Sequence, residues 1–391
     1  MKKFLILLLV FVAGNAFAQN RVRNIIDTLR KNSIAIRLAD ASLESQRLEN
    51  NSVRSLSNPE VGFNYLGISG DGGVRKDLSV MQSFTAQNLA GVNGKIARNA
   101  NSVSEYEHLE ALRDFDLEAT LVLIDFAVAK NMLDKLGERA NYAGQLVEAE
   151  KRRLELGESS VIEYHKAEVY LAKVNGLKLR CETELMAQTQ EILRLNGGVG
   201  VPMEVYNIDI HDFDSPNIAD DFEIWYQDYT QQRPNIAADA GVEGARLNLK
   251  STRMDWIPEI GVGYMQEITD DEKIRGLATS FSVPVWSNSR NVKKAKIDLD
   301  IAEAQRDMMQ SNRYSAKRVQ YERCKSLRKL CDYFHESLPK FGSIDNFYKA
   351  HQMGEISLID FINESDMYYD FYQDHVETER ERMKAEAELL R

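Results

Sequence analysis

Four short segments of this chain alternate apolar residues with small or polar ones, and four such strands are too few to close on themselves. Val61, Phe63 and Tyr65 face one way while Gly62 and Asn64 face the other. Leu78, Val80 and Phe84 oppose Ser79 and Ser83. Far downstream, Ile260, Val262 and Tyr264 oppose Gly261 and Gly263, and Leu277, Phe281, Val283 and Val285 oppose Ala278, Ser280 and Ser282. Alternation by twos predicts strands, and the turn-rich links at 67–73 and 269–273 predict two hairpins. About eight strands make the smallest closed barrel. An open sheet in hydrocarbon leaves backbone groups unpaired, at several kcal/mol each. Neighbouring copies must therefore finish the wall, and three copies bring about twelve strands, enough to close a barrel.

The strand pairs belong to a longer pattern written twice. "NPEVGFNY" (58–65) matches "IPEIGVGY" (257–264), and "LELGESSVIEY" (154–164) matches "HQMGEISLIDF" (351–361). Gly157 and Gly354 lie nearly 200 positions apart, and so do the two strand starts. Helical stretches precede both strand pairs, "IAIRLADASLESQRLE" and "IAADAGVEGARLNLKS", and long charged helical patterns follow both. Ordered echoes at one offset mark a duplicated unit of roughly 200 residues, much longer than a solenoid repeat. The expected division is 1–18 signal peptide, 19–200 first repeat, 201–230 linker and 231–391 second repeat.

Each repeat reads helix, strand, turn, strand, long helix, tip, helix. Leu112, Ala119, Phe126 and Leu133 recur every seven residues, as do Phe115, Val122, Ala129 and Leu136. Together they form an a/d coiled-coil seam. After the first tip, Tyr164, Leu171, Leu185 and Ile192 continue one seam, broken at Lys178, and Ala167, Val174, Cys181 and Leu195 continue the other. Few breakers interrupt 92–156, Gly137 being one, and at 1.5 Å per residue that stretch spans roughly 90–100 Å. Pro339 and Gly342 predict a kink in the second long helix. Gly157 and Gly354 supply the positive φ that ends one helix, and the neighbouring Glu and Ser suit the start of the next.

Composition narrows the function. The net charge of −11 argues against nucleic acid as a partner. Lys2 and Lys3, the apolar run 4–13 and the "AFA" at 16–18 read as a secretory signal peptide cleaved before Gln19. No later apolar stretch reaches the roughly 18 residues of a transmembrane helix, so any membrane insertion must use strands. Cys181, Cys324 and Cys331 are odd in number and lack a CxxC pair, which predicts buried seam thiols rather than a disulfide or zinc site. The six histidines form no HExxH, and no residues suggest a cofactor or a catalytic constellation. "GVNGK" (91–95) has two residues between its glycines where a phosphate loop needs four, and reads as a strand-to-helix turn.

The ordered strand starts, the "RPNIAADA" helix start at Arg233 and the two G-E-x-S-x-I-[ED]-[FY] tips resemble the TolC family of outer-membrane efflux proteins over essentially the whole mature chain. The resemblance implies a mainly α fold with a small β part. It implies a homotrimer in the Gram-negative outer membrane, with a twelve-strand barrel among lipid and a trimeric α-barrel of helical hairpins across the periplasm. It also implies a passive duct for heavy metals or drugs, with a periplasmic adaptor and an inner-membrane pump as partners. The family's gate acids fall on Asp360 and, at the first tip, on Glu163. A second gate aspartate falls on Asn363, a departure beside Glu364, while the Tyr and Arg of the closing network fall on His351 and Ile356. Adaptor contact falls on Gly157, Glu158, Ser159, Gly354, Glu355 and Ile356. Two rivals are a periplasmic adaptor, which needs only one hairpin, and a soluble coiled-coil scaffold, which leaves the strands idle.

Overall fold

The computed structural model describes residues 21–67, 74–213, 215–269, 271–282, 284, 289–341 and 343–391. The expected signal peptide, Val283, Val285, Gly342 and most of the first strand link lie outside them. In chain order the elements are α1 (residues 21–32), α2 (Ile34–Ser52), β1 (Glu60–Gly67), β2 (Val74–Phe84), α3 (Ala86–Leu89), α4 (Val92–Glu155) and α5 (Val161–Leu195). There follow α6 (Phe222–Gln232), α7 (Ile236–Met254), β3 (Glu259–Ile268), β4 (Lys273–Ser282), α8 (Ser289–Ser337), α9 (Ile344–Gln352) and α10 (Leu358–Leu390). By contact the chain divides into two compact units. One comprises Ala39–Glu110 and Thr230–Tyr314; the other comprises the chain up to Leu38, Ala111–Tyr229 and Ser315–Arg391.

The first unit carries the sheet. Its order is β1-β2-β3-β4, antiparallel throughout, so the two hairpins join through β2 and β3. The register aligns Val61, Val80, Tyr264 and Leu277 across the four strands, and one step along aligns Gly62, Ser79, Met265 and Gly276. All four sequence alternations therefore share one apolar face, and the opposite face is mostly small or polar, with Met81 and Met265 among its residues. The apolar face is bare: Leu277 is 88% exposed and Val61 is 68% exposed. Covering a large aliphatic or aromatic side chain is worth about 1.5–3 kcal/mol, so a face of this kind demands a partner or lipid. Strands β1 and β4 are edges within the chain. On the other face Gly263 is required by close approach. A Cβ there would stand 2.1 Å from the Val80 carbonyl oxygen and 2.4 Å from the Met81 sulfur. Gly91, at φ +66°, turns the chain into α4, but from the one-turn helix α3 and not directly from a strand as "GVNGK" predicts, because Thr85 caps a helical turn between β2 and the glycine.

The second unit is helical. Phe115, Ala129 and Leu136 on α4 and Ala167, Val174, Cys181 and Leu195 on α5 are all buried, which realises the expected seam. Helix α4 runs 64 residues straight through Gly137. The second long helix does more than kink. It ends at Ser337, passes through a 3-10 turn at Leu338–Phe341 and restarts as α9. Pro339 has no backbone N–H to donate and its ring collides with the preceding turn, so the helix cannot pass. Val205 and Ile208, in the 201–230 stretch, pack with Ile25, Leu29 and Phe126 into one core. All three cysteines are free and buried, and burial pushes their thiols up to about 11 for Cys181 and Cys324 and about 12 for Cys331, which leaves them unreactive.

Candidate functional site

The two hairpin tips lie in the helical unit and have the same local construction. Gly157 and Gly354 both sit at φ +75°. The Glu158 N–H donates to the Arg153 carbonyl at 2.7 Å and the Gly157 N–H to the Leu154 carbonyl at 3.0 Å. The Glu355 and Gly354 N–H groups repeat this on Ala350 and His351, at 2.9 and 3.0 Å. Each is a Schellman stop, open only to a residue that tolerates the left-handed conformation. Three residues after each glycine a serine starts the next helix. Ser160 and Glu163 form a capping box at α5, and Ser357 and Asp360 form one at α10. The repeated phrase is thus a stop, a one-residue reversal and a start.

The caps employ the two acids that sequence reasoning assigned to a gate. Asp360 is exposed; one of its oxygens accepts from the Ser357 hydroxyl at 2.5 Å and from the Ser357 N–H at 3.2 Å. Glu163 is half-buried, and its carboxyl is held below the usual carboxylate range, first by the Ser159 hydroxyl and then by the Ser160 N–H. Asn363 is exposed and Glu364 half-buried. Gly157, Glu158, Gly354 and Glu355 are exposed at the tips, whereas Ile356 packs against the core that contains Tyr348, Leu358 and Phe361.

His351 and Ser159 meet a residue that sequence reasoning missed. Glu150 on α4 is wholly buried. Its Oε1 accepts from Arg153 Nη1 at 2.8 Å, its Oε2 accepts from Ser159 Oγ at 2.7 Å, and His351 Nε2 stands 3.6 Å from Oε1. The His351 side chain is 7% exposed and stacks on Phe361 at 5.8 Å. Its Nδ1 lies 3.2 Å from the Ile356 carbonyl. The signal for Glu150 was present: the seven-residue series that ends at Leu136 continues to Ala143 and then to Glu150, an acid on the seam. A second missed residue is Arg139, buried between α4, α5 and α10, paired with Asp366 and donating through Nε to the Tyr170 hydroxyl at 3.2 Å.

Beside the tips, α5 and α10 enclose a groove of about 480 Å³. Ile162, Val169, Ile359 and Ile362 line it, with Lys166 and Lys173 at its rim. Among the described residues, no group of three or more His, Cys, Asp or Glu could hold a metal ion, and no helix is long and apolar enough to cross a membrane.

Neither protein-family models nor curated proteins match the sequence. Solved structures do. CusC, described in connection with transmembrane channel formation, is 15% identical with a TM-score of 0.76, over 95% of this chain and 91% of that one. The outer membrane protein VceC of Vibrio cholerae is 12% identical with a TM-score of 0.75, over 95% and 96% of the two chains. The CmeC outer membrane channel of Campylobacter jejuni is 14% identical with a TM-score of 0.74, over 94% and 84%.

Proposed function

We propose, from the TolC-type outer-membrane channel fold that this chain has, that it forms a homotrimeric duct through the outer membrane of a tripartite efflux system. The observation that carries this reading is the sheet. Four strands of 8 to 11 residues suit an outer-membrane barrel wall, in which a tilted strand needs about 9–11. Their apolar face is bare, their opposite face is mostly small or polar, and three copies close the barrel. Tyr65, late in β1, and the half-exposed Trp256, just ahead of β3, suit the aromatic girdles at the membrane surfaces. Exposed Ile162, Val169, Leu179 and Met186 on α5, in pairs seven apart, suit helix packing against a neighbouring copy or an adaptor.

The duct works passively, with its energy supplied by an inner-membrane pump, and it catalyses nothing. The exposed tips and the groove between α5 and α10 suit the helical hairpin of a periplasmic adaptor: aliphatic side chains enter the groove and acidic ones meet Lys166. The test is an image of the detergent-extracted particle. A three-fold hollow cylinder is expected, and release of a monomer by a salt wash would overturn the reading.

We assign the periplasmic constriction to the tip acids, with three copies of Asp360 forming a ring that favours cations. Capping and gating can be separated. Asp360→Asn is expected to weaken block by multivalent cations several-fold in single-channel recordings. Ser357→Ala, which removes the cap at a cost of about 1 kcal/mol but keeps the carboxylate, leaves the block intact. Equal block in Asp360→Asn and the parent would take Asp360 out of the pore.

A further inference from the structure

The polar contacts between the tips are one proton short. Ser159 has a single hydroxyl proton, yet its Oγ lies 2.7 Å from Glu150 Oε2 and 2.8 Å from Glu163 Oε2. If both carboxylates are ionised, one of these contacts sets oxygen against oxygen. The charges repeat the deficit: among the described residues Arg153 is the one cation hydrogen-bonded to Glu150, against two carboxylates, and Glu150 is out of water. Lys166, one turn along α5, acts on Glu163 only at a distance. From α9, His351 offers Nδ1 to a carbonyl, which can only accept, so Nδ1 carries a hydrogen. In the neutral ring Nε2 then turns a lone pair toward Glu150 Oε1. From α10 the ring meets Phe361, which brings no charge.

We propose that Glu150, Ser159, Glu163 and His351 form a binding site for a single proton that fastens the second hairpin tip to the first. With the proton on Glu150, that carboxyl donates to Ser159 and Ser159 donates to Glu163. With the proton on His351, an imidazolium faces the Glu150 carboxylate. The two placements exchange, and their titration belongs to the cluster. Either placement removes the excess negative charge. When the proton leaves as pH rises, the lone pair of His351 faces a buried carboxylate and α9 loses this polar contact with α4, keeping the one between Asp345 and Tyr142. Loss of this proton therefore loosens the junction, which is firmer in acid than in alkali. The proton site stands on this geometry whether or not the chain conducts. Its action on a gate rests on the channel reading.

The test is amide hydrogen exchange on the full chain in detergent, corrected for the intrinsic pH dependence of exchange. Protection of residues 344–352 is expected to fall at least about tenfold between buffers of about pH 5.5 and about pH 8.5. Glu150→Gln donates an amide proton to Ser159 and cannot titrate, so its protection stays high and flat. Glu163→Gln frees the Ser159 proton for Glu150 and keeps a side chain that serves a capping box, but leaves the Glu150 carboxylate facing His351, so its profile still falls. His375 supplies a reference of opposite sign. Burial, then the neighbouring His335, hold its imidazole below the usual range. The α8–α10 contact around it therefore loses stability as pH falls through the ordinary imidazole value. A flat parent profile at 344–352, or the parent's pH dependence surviving in Glu150→Gln, would overturn the proposal.

Discussion

Gly263→Ala is expected to cut the yield of the proposed detergent-extracted trimer at least about tenfold, because the overlap costs about 1–3 kcal/mol. The added methyl would stand 2.1 Å from the Val80 carbonyl oxygen and 2.9 Å from the Met81 Cα, both backbone atoms of the paired strand. A flexible side chain could swing aside; a laddered backbone cannot move without breaking the β2–β3 register. Among the described residues that register is what joins the two hairpins into one sheet. Gly276→Ala is the matched control, since a Cβ there meets nothing within 4 Å. Heat-resistant trimer on a gel measures both. Equal yields from the two variants would mean that β2 and β3 do not pair this closely in the assembled protein.

Arg139→Met should markedly destabilise the helical unit. The Arg139 side chain is 3% exposed. Its guanidinium pairs with Asp366, donates to Tyr170 and lies 4.7 Å from the Tyr369 ring centre. Breaking a buried pair by removing one partner costs about 3–5 kcal/mol when the other charge is left alone. Asp366 is 27% exposed and keeps Lys173 at 2.9 Å, so the expected loss is lower, about 2–4 kcal/mol. Lys173→Met removes the exposed cation from the same carboxylate and should cost under about 1 kcal/mol. Opening free energies from hydrogen exchange in α4, α5 and α10 compare the two. Similar losses would mean that Arg139 serves as packing and not as a counter-ion.

The tips divide what could be read from what could not. Gly157 and Gly354 were legible because a helix stop followed by a helix start has few chemical solutions. The capping duties of Glu163 and Asp360 were half legible: the serine three residues upstream was noticed, but its partner acid was given to a gate. Glu150 went unread although it lies on the seven-residue series of the seam. Periodicity identifies which residues point inward, but not which other helix supplies their partners. Its neighbour His351 arrives from some 200 residues downstream.

The sheet draws the same line. Local alternation by itself determined the strands, their faces and the shortage of strands that calls for other copies, since the side chains of a strand turn over every residue whatever lies beside it. The seven-residue seams and the glycine-serine tips were likewise settled within a few turns of chain. Only the tertiary structure decided that β2 pairs with β3, that Pro339 ends a helix outright, and that a buried glutamate on one hairpin faces a histidine on the other. Those outcomes depend on the distance between residues remote in sequence, and a short-range pattern carries no information about that distance.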